Sequence, residues 1–167
     1  ENAIKDLNKA IELDPNESEA YRFRGLSKKK LDDYKNAIKD FDKAIEIDPN
    51  NLYLYGSRGI SKYELDDYEN AIKDYNKVIE LDPNDSNAYR LKGLSKYQLD
   101  DYENAIKDLN KAIELDPNES EAYRLRGLSR CKLKDYQNAI EDFDKAIELD
   151  PNNKEAYRFR GFSKYDL

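Results

Sequence analysis

The tripeptide Asp-Pro-Asn recurs along the chain at a fixed spacing, and this period constrains the fold more than any other feature. It begins at Asp14, Asp48, Asp82, Asp116 and Asp150, so that successive copies lie 34 residues apart with no insertion or deletion. A fixed period of this size is typical of stacked structural repeats, in which each unit buries its apolar face against its neighbours. We therefore expect an array of repeated units.

Composition agrees with a folded array. Apolar residues make up 38% of the chain and charged residues 39%, a balance that would indicate disorder if the apolar residues were scattered. They recur with the period instead, so folding is expected. The formal net charge is -7, with both signs mixed through every repeat. The chain therefore offers no basic surface, and both nucleic acid and an anionic membrane are disfavoured as partners.

Residue types that usually take part in catalysis or metal binding are scarce. The chain has no histidine and a single cysteine, Cys131, which excludes a disulfide within the chain and a thiolate metal site. The recurrent carboxylate pairs, such as Asp32 and Asp33, fall in a predicted turn where solvent keeps them ionised. The stretch from Asp82 begins like a calcium loop but lacks the Gly and Glu that such a loop needs. We therefore expect no catalytic activity, no metal and no cofactor.

The two ends of the chain fall inside repeats. It opens with the second half of one repeat and closes with the first half of another, so we expect a fragment of a longer array without its native termini. No apolar run approaches the roughly 20 residues of a membrane span, and no signal peptide is evident. A cytoplasmic location is the expectation for such a fragment.

The spacing of apolar residues in each repeat predicts two helices. We number the repeat from 1 to 34, starting at Ser18, Leu52, Ser86, Ser120 and Lys154. Apolar residues fall at positions 3, 4, 6, 8, 9, 12 and 14 and at 17, 20, 21, 24, 27, 28 and 30, which is helical spacing in both runs. The proline at position 32 should end the second helix, because the residue before proline avoids the α region. The asparagine at position 33 should cap the next helix, as Asn16 with Glu19 suggests.

Seven positions carry a resemblance to a known family. In the third full repeat they are Tyr89, Gly93, Tyr102, Ala105, Leu109, Ala112 and Pro117. This pattern closely resembles the tetratricopeptide repeat, and the resemblance covers the whole chain. It implies an all-α fold, an α-α superhelix built as a right-handed solenoid of antiparallel helix pairs. In this family the first helices line a concave groove that binds peptides or partner proteins.

The expected domain is a single array over residues 1–167. It would comprise the second helix of a truncated repeat at 1–17, full repeats at 18–51, 52–85, 86–119 and 120–153, and the first helix of a truncated repeat at 154–167. Each terminal helix leaves an apolar face uncovered. We therefore expect head-to-tail self-association through the two half repeats at high concentration.

Three positions depart from the family pattern. Position 15, usually Gly, carries Asp32, Asp66, Asp100 and Lys134, which should adopt a left-handed backbone at a cost near 1 kcal/mol. Position 7 is always basic and position 23 always Asp. We expect these to pair across repeats as Asp6 with Arg24, Asp40 with Arg58, Asp74 with Lys92, Asp108 with Arg126, and Asp142 with Arg160. Position 11 is also basic, and the sequence assigns it no partner.

One face of the first helices is the predicted groove. Positions 2, 5, 9, 12 and 13 share that face at 100° per residue. The candidate ligand-binding residues are arginines at 5, apolar residues at 9 and tyrosines at 12, namely Arg22, Leu26, Ile60, Tyr63, Arg90, Leu94, Tyr97, Arg124, Leu128 and Arg158. They suit a peptide with apolar anchors and acidic groups. Alternatively, the apolar positions complete packing between neighbours and the arginines form a solvated face.

The second full repeat adds two candidates to this face. Tyr53 contributes an aromatic ring, and Gly56 replaces an arginine in the middle of a helix, where Gly costs roughly 1 kcal/mol relative to Ala. A ligand pocket formed with Ile60 and Tyr63 is one explanation, and drift between repeats is the other. The carboxylate clamp that some family members use for heat-shock chaperones needs Lys at 5 and Asn at 9. It is not expected here, because position 5 is Arg and position 9 is Leu or Ile in most repeats.

The sequence thus predicts a protein–protein interaction scaffold whose partner is a peptide or another protein. A structural spacer or a self-assembling superhelical array with no dedicated peptide ligand remains the alternative.

Overall fold

The computed structural model describes residues 2–167. Every regular element in that range is an α-helix, which confirms the all-α class. The helices are α1 (Asn2–Leu13), α2 (Ser18–Lys29), α3 (Tyr34–Ile47), α4 (Leu52–Tyr63), α5 (Tyr68–Leu81), α6 (Ser86–Gln98), α7 (Tyr102–Leu115), α8 (Ser120–Lys132), α9 (Tyr136–Leu149) and α10 (Lys154–Asp166). None of these helices has the length and apolar content needed to cross a membrane.

The helices form two compact units, which divide between Pro83 and Asn84. In the first unit, each helix from α1 to α5 packs against the next one in the chain, and α2 also contacts α4. In the second unit, each helix from α6 to α10 packs against the next one, and α8 also contacts both α6 and α10. Each unit is therefore a stack of two helix pairs with one further helix, α1 in the first unit and α10 in the second.

A left-handed residue ends each turn between the two helices of a pair. The φ angle is 57° at Asp32, 60° at Asp66, 59° at Asp100 and 63° at Lys134, which confirms the prediction for position 15. The hydroxyl of Tyr68 donates a hydrogen bond to the Asp66 carboxylate at 2.5 Å. Equivalent bonds run from Tyr34 to Asp32 and from Tyr102 to Asp100. This bond offsets part of the cost of the left-handed backbone, and Lys134 has no carboxylate to form it.

The predicted caps at position 33 are wrong. In each of the five first helices, the N-cap is the residue at position 34, one residue later. The backbone N–H of Asn16 donates instead to the Asp14 side chain at 2.9 Å, so the Asp before the proline folds back over the turn. Asp85 is one residue that does cap a helix, because its side chain accepts from the Ala88 backbone N–H at 2.9 Å.

The glycine at position 8 lets the two helices of a pair approach closely. A Cβ atom built on Gly59 would lie 2.7 Å from the ring of Tyr75, and one on Gly93 would lie 2.8 Å from Leu109. The large residue at position 24 therefore occupies the space that a side chain at position 8 would need. Around this contact the alanines at positions 20 and 27 are fully buried, as Ala37 and Ala44 show.

A buried ion triad joins the two helices of each pair, and it corrects the predicted pairing across repeats. Asp40, only 3% exposed, lies 2.6 Å from Arg24 Nη2 and 2.7 Å from Lys28 Nζ. The same arrangement places Arg58 and Lys62 on Asp74, Lys92 and Lys96 on Asp108, and Arg126 and Arg130 on Asp142. Positions 7 and 11 lie one turn apart on the first helix, so both face position 23 of their own repeat.

The same arginines also reach the preceding repeat, but at position 25. Arg24 Nη1 donates to Asn8 at 2.8 Å, Arg58 Nη1 lies 2.6 Å from Asp42, and Arg126 Nη1 donates to Asn110 at 2.7 Å. One guanidinium therefore links the two helices of its own pair and the pair before it.

Candidate functional site

The predicted pocket residues on α4 differ in how accessible they are. The Tyr53 side chain is 71% exposed, and a Cβ atom at Gly56 would meet only Val78 Cγ2, at 4.0 Å. Ile60 and Tyr63 are half-buried, and the Tyr63 ring meets the Tyr68 ring edge-on with centroids 5.2 Å apart. Helix α4 thus carries an exposed aromatic ring, a half-buried aliphatic side chain and a glycine with room for a side chain.

A depression of about 330 Å³ opens at the start of α4. It is lined by Asp48, Asn50, Asn51, Leu52 and Tyr53. Of the four residues predicted to form the pocket, Tyr53 alone contributes to this lining. Sequence analysis did not predict this depression, because the polar residues that line it belong to the turn after α3. The repeat pattern had assigned that turn to helix capping.

On α2 the structure separates the two candidates Arg22 and Leu26. Arg22 donates from Nε and Nη2 to the Glu19 carboxylate at 2.7 and 2.6 Å, and its guanidinium lies 4.1 Å from the centre of the Phe23 ring. The hydrogen bond raises the pKa of Arg22 and lowers that of Glu19. Leu26 packs against a buried cluster comprising Ala37, Phe41, Ala44 and Leu54.

In the second unit, Arg90 is paired with a glutamate that the prediction overlooked. Arg90 Nε lies 2.5 Å from Glu119 Oε1, and both side chains are largely buried. Burial raises the pKa of Glu119, although the charge of Arg90 opposes that shift. Arg90 therefore enters any ligand contact with its charge already neutralised.

Arg124 is held by two glutamates, one on its own helix and one on α10. Its Nη2 lies 2.5 Å from Glu121 and its Nη1 lies 2.8 Å from Glu155. Burial disfavours the Arg124 cation, but the hydrogen bond and the charges of these glutamates outweigh burial and raise its pKa. Arg158 approaches Glu155 at 3.5 Å. A Glu three residues before an Arg is the sequence signal that could have indicated the pairs of Glu121 with Arg124 and Glu155 with Arg158, but the sequence analysis did not use it.

The apolar candidates of the second unit are mostly engaged in packing. Leu128 is 8% exposed and belongs to the core cluster with Leu109, Leu125 and Phe143. It is therefore not available as a groove residue, because contacts within the stack cover it. Leu94 and Tyr97 are half-buried and pack against the same cluster. Burial also raises the pKa of the Tyr97 hydroxyl.

The described residues offer binding contacts and no assembled reactive group. Within residues 2–167, no group of three or more Cys, Asp or Glu side chains is arranged to hold a metal ion. The Cys131 sulfur lies 3.0 Å from Ser163 Oγ, and burial raises the pKa of this thiol, which reduces its thiolate fraction. The Asp33 carboxylate accepts hydrogen bonds from the Asn36 side chain at 3.0 and 3.1 Å.

Three family models match the chain, all described as the tetratricopeptide repeat. One matches residues 18–51 and 120–153, a second residues 66–125 and a third residues 1–17. A comparison with curated protein sequences found no match.

Solved structures with the same architecture include MamA, YrrB and RPAP3. MamA from Desulfovibrio magneticus RS-1 is 26% identical with a TM-score of 0.85, over 90% of this chain and 85% of that one. YrrB, described as a TPR protein with an unusual peptide-binding site, is 25% identical with a TM-score of 0.85, over 95% and 81%. The first TPR of Spaghetti (RPAP3), bound to the HSP90 peptide SRMEEVD, is 25% identical with a TM-score of 0.67, over 68% and 90%.

Proposed function

Since the chain belongs to the tetratricopeptide repeat family, we propose that it is an interaction scaffold that binds a peptide segment of a partner protein. The described peptide-binding site of YrrB and the HSP90 peptide bound to RPAP3 support this class of function. The scarcity of reactive groups supports a role without catalysis. The surface of α4 around Tyr53 and Gly56 is the proposed principal contact.

The environment of Gly56 carries this proposal. Gly59, one turn later, is required for packing, because a Cβ atom there would lie 2.7 Å from Tyr75. Gly56 has no such requirement, since its nearest neighbour would lie at 4.0 Å. Its cost of roughly 1 kcal/mol in helix stability therefore gains nothing from packing within the first unit. Space for a ligand side chain beside the exposed Tyr53 ring explains why that cost is tolerated.

An apolar anchor of the ligand should provide most of the affinity. Exposed aromatic residues such as Tyr53 are enriched among the side chains that dominate protein interfaces. The proposed acidic groups of the ligand would contribute less. A ligand carboxylate reaching Arg90 or Arg124 has to displace Glu119, Glu121 or Glu155, and exchanging one carboxylate for another changes the free energy little.

The proposal is tested by selecting peptides and measuring their affinity for variants. Peptides are selected from a phage-displayed library on the immobilised chain, and the dissociation constants of the best binders are measured by calorimetry. Tyr53→Ala should weaken binding by about tenfold or more, since interface aromatic residues often contribute over 1 kcal/mol. Gly56→Arg should also weaken binding, because its side chain fills the vacant direction.

A matched control is available in the same unit. Leu31 is 56% exposed and lies in the turn after α2, so Leu31→Ala removes a comparably exposed apolar side chain away from the proposed contact. Affinity should be unchanged in this variant. Equal affinities for the wild type, Tyr53→Ala and Gly56→Arg would show that α4 is not the binding surface.

A further inference from the structure

The turn between α3 and α4 differs from the equivalent turns of the array at its aspartate. In three of those turns, the carboxylate before the proline accepts a hydrogen bond from the backbone N–H two residues later, at 2.9 to 3.0 Å, namely at Asp14, Asp116 and Asp150. The Asp48 carboxylate instead accepts from the side-chain Nδ2 of Asn51, at 3.1 Å. It forms no ion pair with any of residues 2–167. This carboxylate therefore has a single neutral donor and keeps acceptor positions for a ligand.

The bond to Asp48 also prevents Asn51 from capping α4. At the equivalent position before α10, Asn153 Oδ1 accepts from the Ala156 backbone N–H at 3.0 Å. Asn51 forms no such cap to Leu54, and its Oδ1 is buried without a hydrogen-bond partner. A buried acceptor without a partner destabilises the arrangement that contains it. A ligand that competes for the Asp48 carboxylate would therefore relieve an unfavourable orientation of Asn51.

Both residues line the depression at the start of α4, together with Asn50, Leu52 and Tyr53. Its volume of about 330 Å³ is that of a small ligand site. Asp48 is the one charged residue among these five. The C-terminal end of α3 and the N-terminal end of α4 meet at this turn, so their opposite helix dipoles offset each other. The carboxylate therefore sets the charge of the site, which favours a cation.

The exposed Tyr53 ring favours one kind of cation. Position 2 is Glu or Asn in the other first helices, so this ring is particular to α4. A guanidinium can stack on an aromatic face while its edge pairs with a carboxylate, which a compact ammonium does less well. Arg22 shows both contacts on α2, because its guanidinium lies 4.1 Å from the centre of the Phe23 ring and its Nη2 lies 2.6 Å from Glu19. An incoming arginine finds the same combination at Tyr53 and Asp48.

We propose that this depression binds an arginine side chain of the partner peptide, a binding mode that rests on the function proposed above. The guanidinium packs against the Tyr53 ring and donates to the Asp48 carboxylate, where it replaces the Asn51 amide. Asn51 then rotates so that its Oδ1 caps the Leu54 N–H, as Asn153 caps α10. The cap gained on binding adds to the affinity for arginine.

The test uses N-acetyl-arginine N-methylamide as the probe and needs no selected peptide. The probe is titrated into the ¹⁵N-labelled chain, and the backbone amide and asparagine side-chain signals are followed by NMR. In the wild type, the amide signals around Asn51 and its side-chain NH₂ signals should shift saturably. The citrulline analogue has a similar shape without the charge and should bind about fivefold more weakly or worse. Asp48→Asn should weaken binding of the arginine probe by a similar factor.

Asp150→Asn is the matched control. Asp150 holds the equivalent position in the second unit, and its carboxylate accepts from the Asn152 backbone N–H, so this variant should bind the probe like the wild type. Circular dichroism checks that both variants keep their helix content. The arginine site is ruled out if the probe causes no saturable shift around Asn51, if citrulline binds equally well, or if Asp48→Asn binds like the wild type.

The two proposals about α4 fail in different ways. If selected peptides lose affinity in Tyr53→Ala but the arginine probe does not bind, the peptide surface stands and the arginine site is wrong. If the probe binds at Asp48 but Tyr53→Ala and Gly56→Arg leave peptide affinity unchanged, the arginine site stands and the peptide surface is wrong.

Discussion

At the scale of single residues, two glycines on α4 show how one residue type serves different purposes. Gly59 lies against the Tyr75 ring, whereas a Cβ atom at Gly56 would meet only Val78 Cγ2, at an ordinary contact distance of 4.0 Å. Neither glycine has a positive φ angle, so conformational freedom does not explain either of them. Packing explains Gly59, and the ligand proposed above explains Gly56.

The two glycines should respond oppositely to alanine. Gly56→Ala should stabilise the fold by up to about 1 kcal/mol, because alanine has the higher helix propensity and space is available. Gly59→Ala should destabilise it by about 1 to 3 kcal/mol, because the added methyl overlaps Tyr75. Urea unfolding followed by circular dichroism measures both changes. A loss of stability in Gly56→Ala would contradict the room for a methyl group assigned to that position.

The tyrosines that donate hydrogen bonds to the left-handed aspartates should lose their protons at a higher pH than an ordinary tyrosine. Hydrogen bonding to Asp66 and Asp100 raises the pKa of Tyr68 and of Tyr102 to about 12. Because the neutral phenol is favoured in the folded chain, this contribution to stability is complete below the ordinary pKa near 10 and disappears as the pH rises through 12. Both rings are solvent-accessible, so the contribution is small.

Asp100→Asn isolates this effect at one site. Removing the carboxylate charge should bring the pKa of Tyr102 back towards 10 and leave Tyr68, in the other unit, unchanged. Ring chemical shifts measured by NMR across an alkaline titration report both groups separately. If the pKa of Tyr102 is unchanged in the variant, Asp100 is not the cause of its raised pKa.

At the scale of helices, the ion triad sets how the two members of a pair meet. Asp108 is 8% exposed and forms ion pairs with both Lys92 and Lys96. One carboxylate thus neutralises one of two cations and fixes two positions of the first helix against the second. The family resemblance does not imply this feature, because positions 7 and 11 are two of the positions at which this chain departs from the family pattern.

Removing the central carboxylate should cost far more than removing a surface one. Asp108→Ala should destabilise the fold by about 3 kcal/mol, because it leaves two largely buried cations without a counter-charge. Glu114→Ala on the same helix breaks the exposed pair with Lys111 and should cost less than about 1 kcal/mol. Chemical unfolding of both variants gives the comparison. Equal losses would mean that the triad adds nothing specific to the helix pair.

At the scale of the whole molecule, repetition places the same contacts in both units. The ion triad around Asp40 in the first unit recurs around Asp108 and Asp142 in the second. A Cβ atom at Gly25 or at Gly127 would lie 2.8 Å from a phenylalanine ring of the next helix. Each unit is therefore stabilised by the same kinds of contact, and a variant at one repeat has a matched control at the same position of another.

The sequence by itself determined the helices, the left-handed turn residues and the close approach at position 8. These features depend on local properties, namely helical spacing of apolar residues, the restriction before proline and the absence of a side chain at Gly59 and Gly93. They are the same in every repeat, so five copies of the pattern reinforced one another. The family membership followed from the same positions.

Only the tertiary structure decided which charges meet and which apolar residues remain accessible. Helical periodicity places Arg58 on a face, but the register between helices decides whether it reaches Asp74 or Asp40. Arg90 likewise pairs with Glu119 at the end of its own repeat, and Arg124 pairs with Glu155 of the next repeat. Leu128 is covered by packing within the stack. Such pairings depend on distances between backbones far apart in sequence, and a side-chain pattern along one helix does not contain those distances.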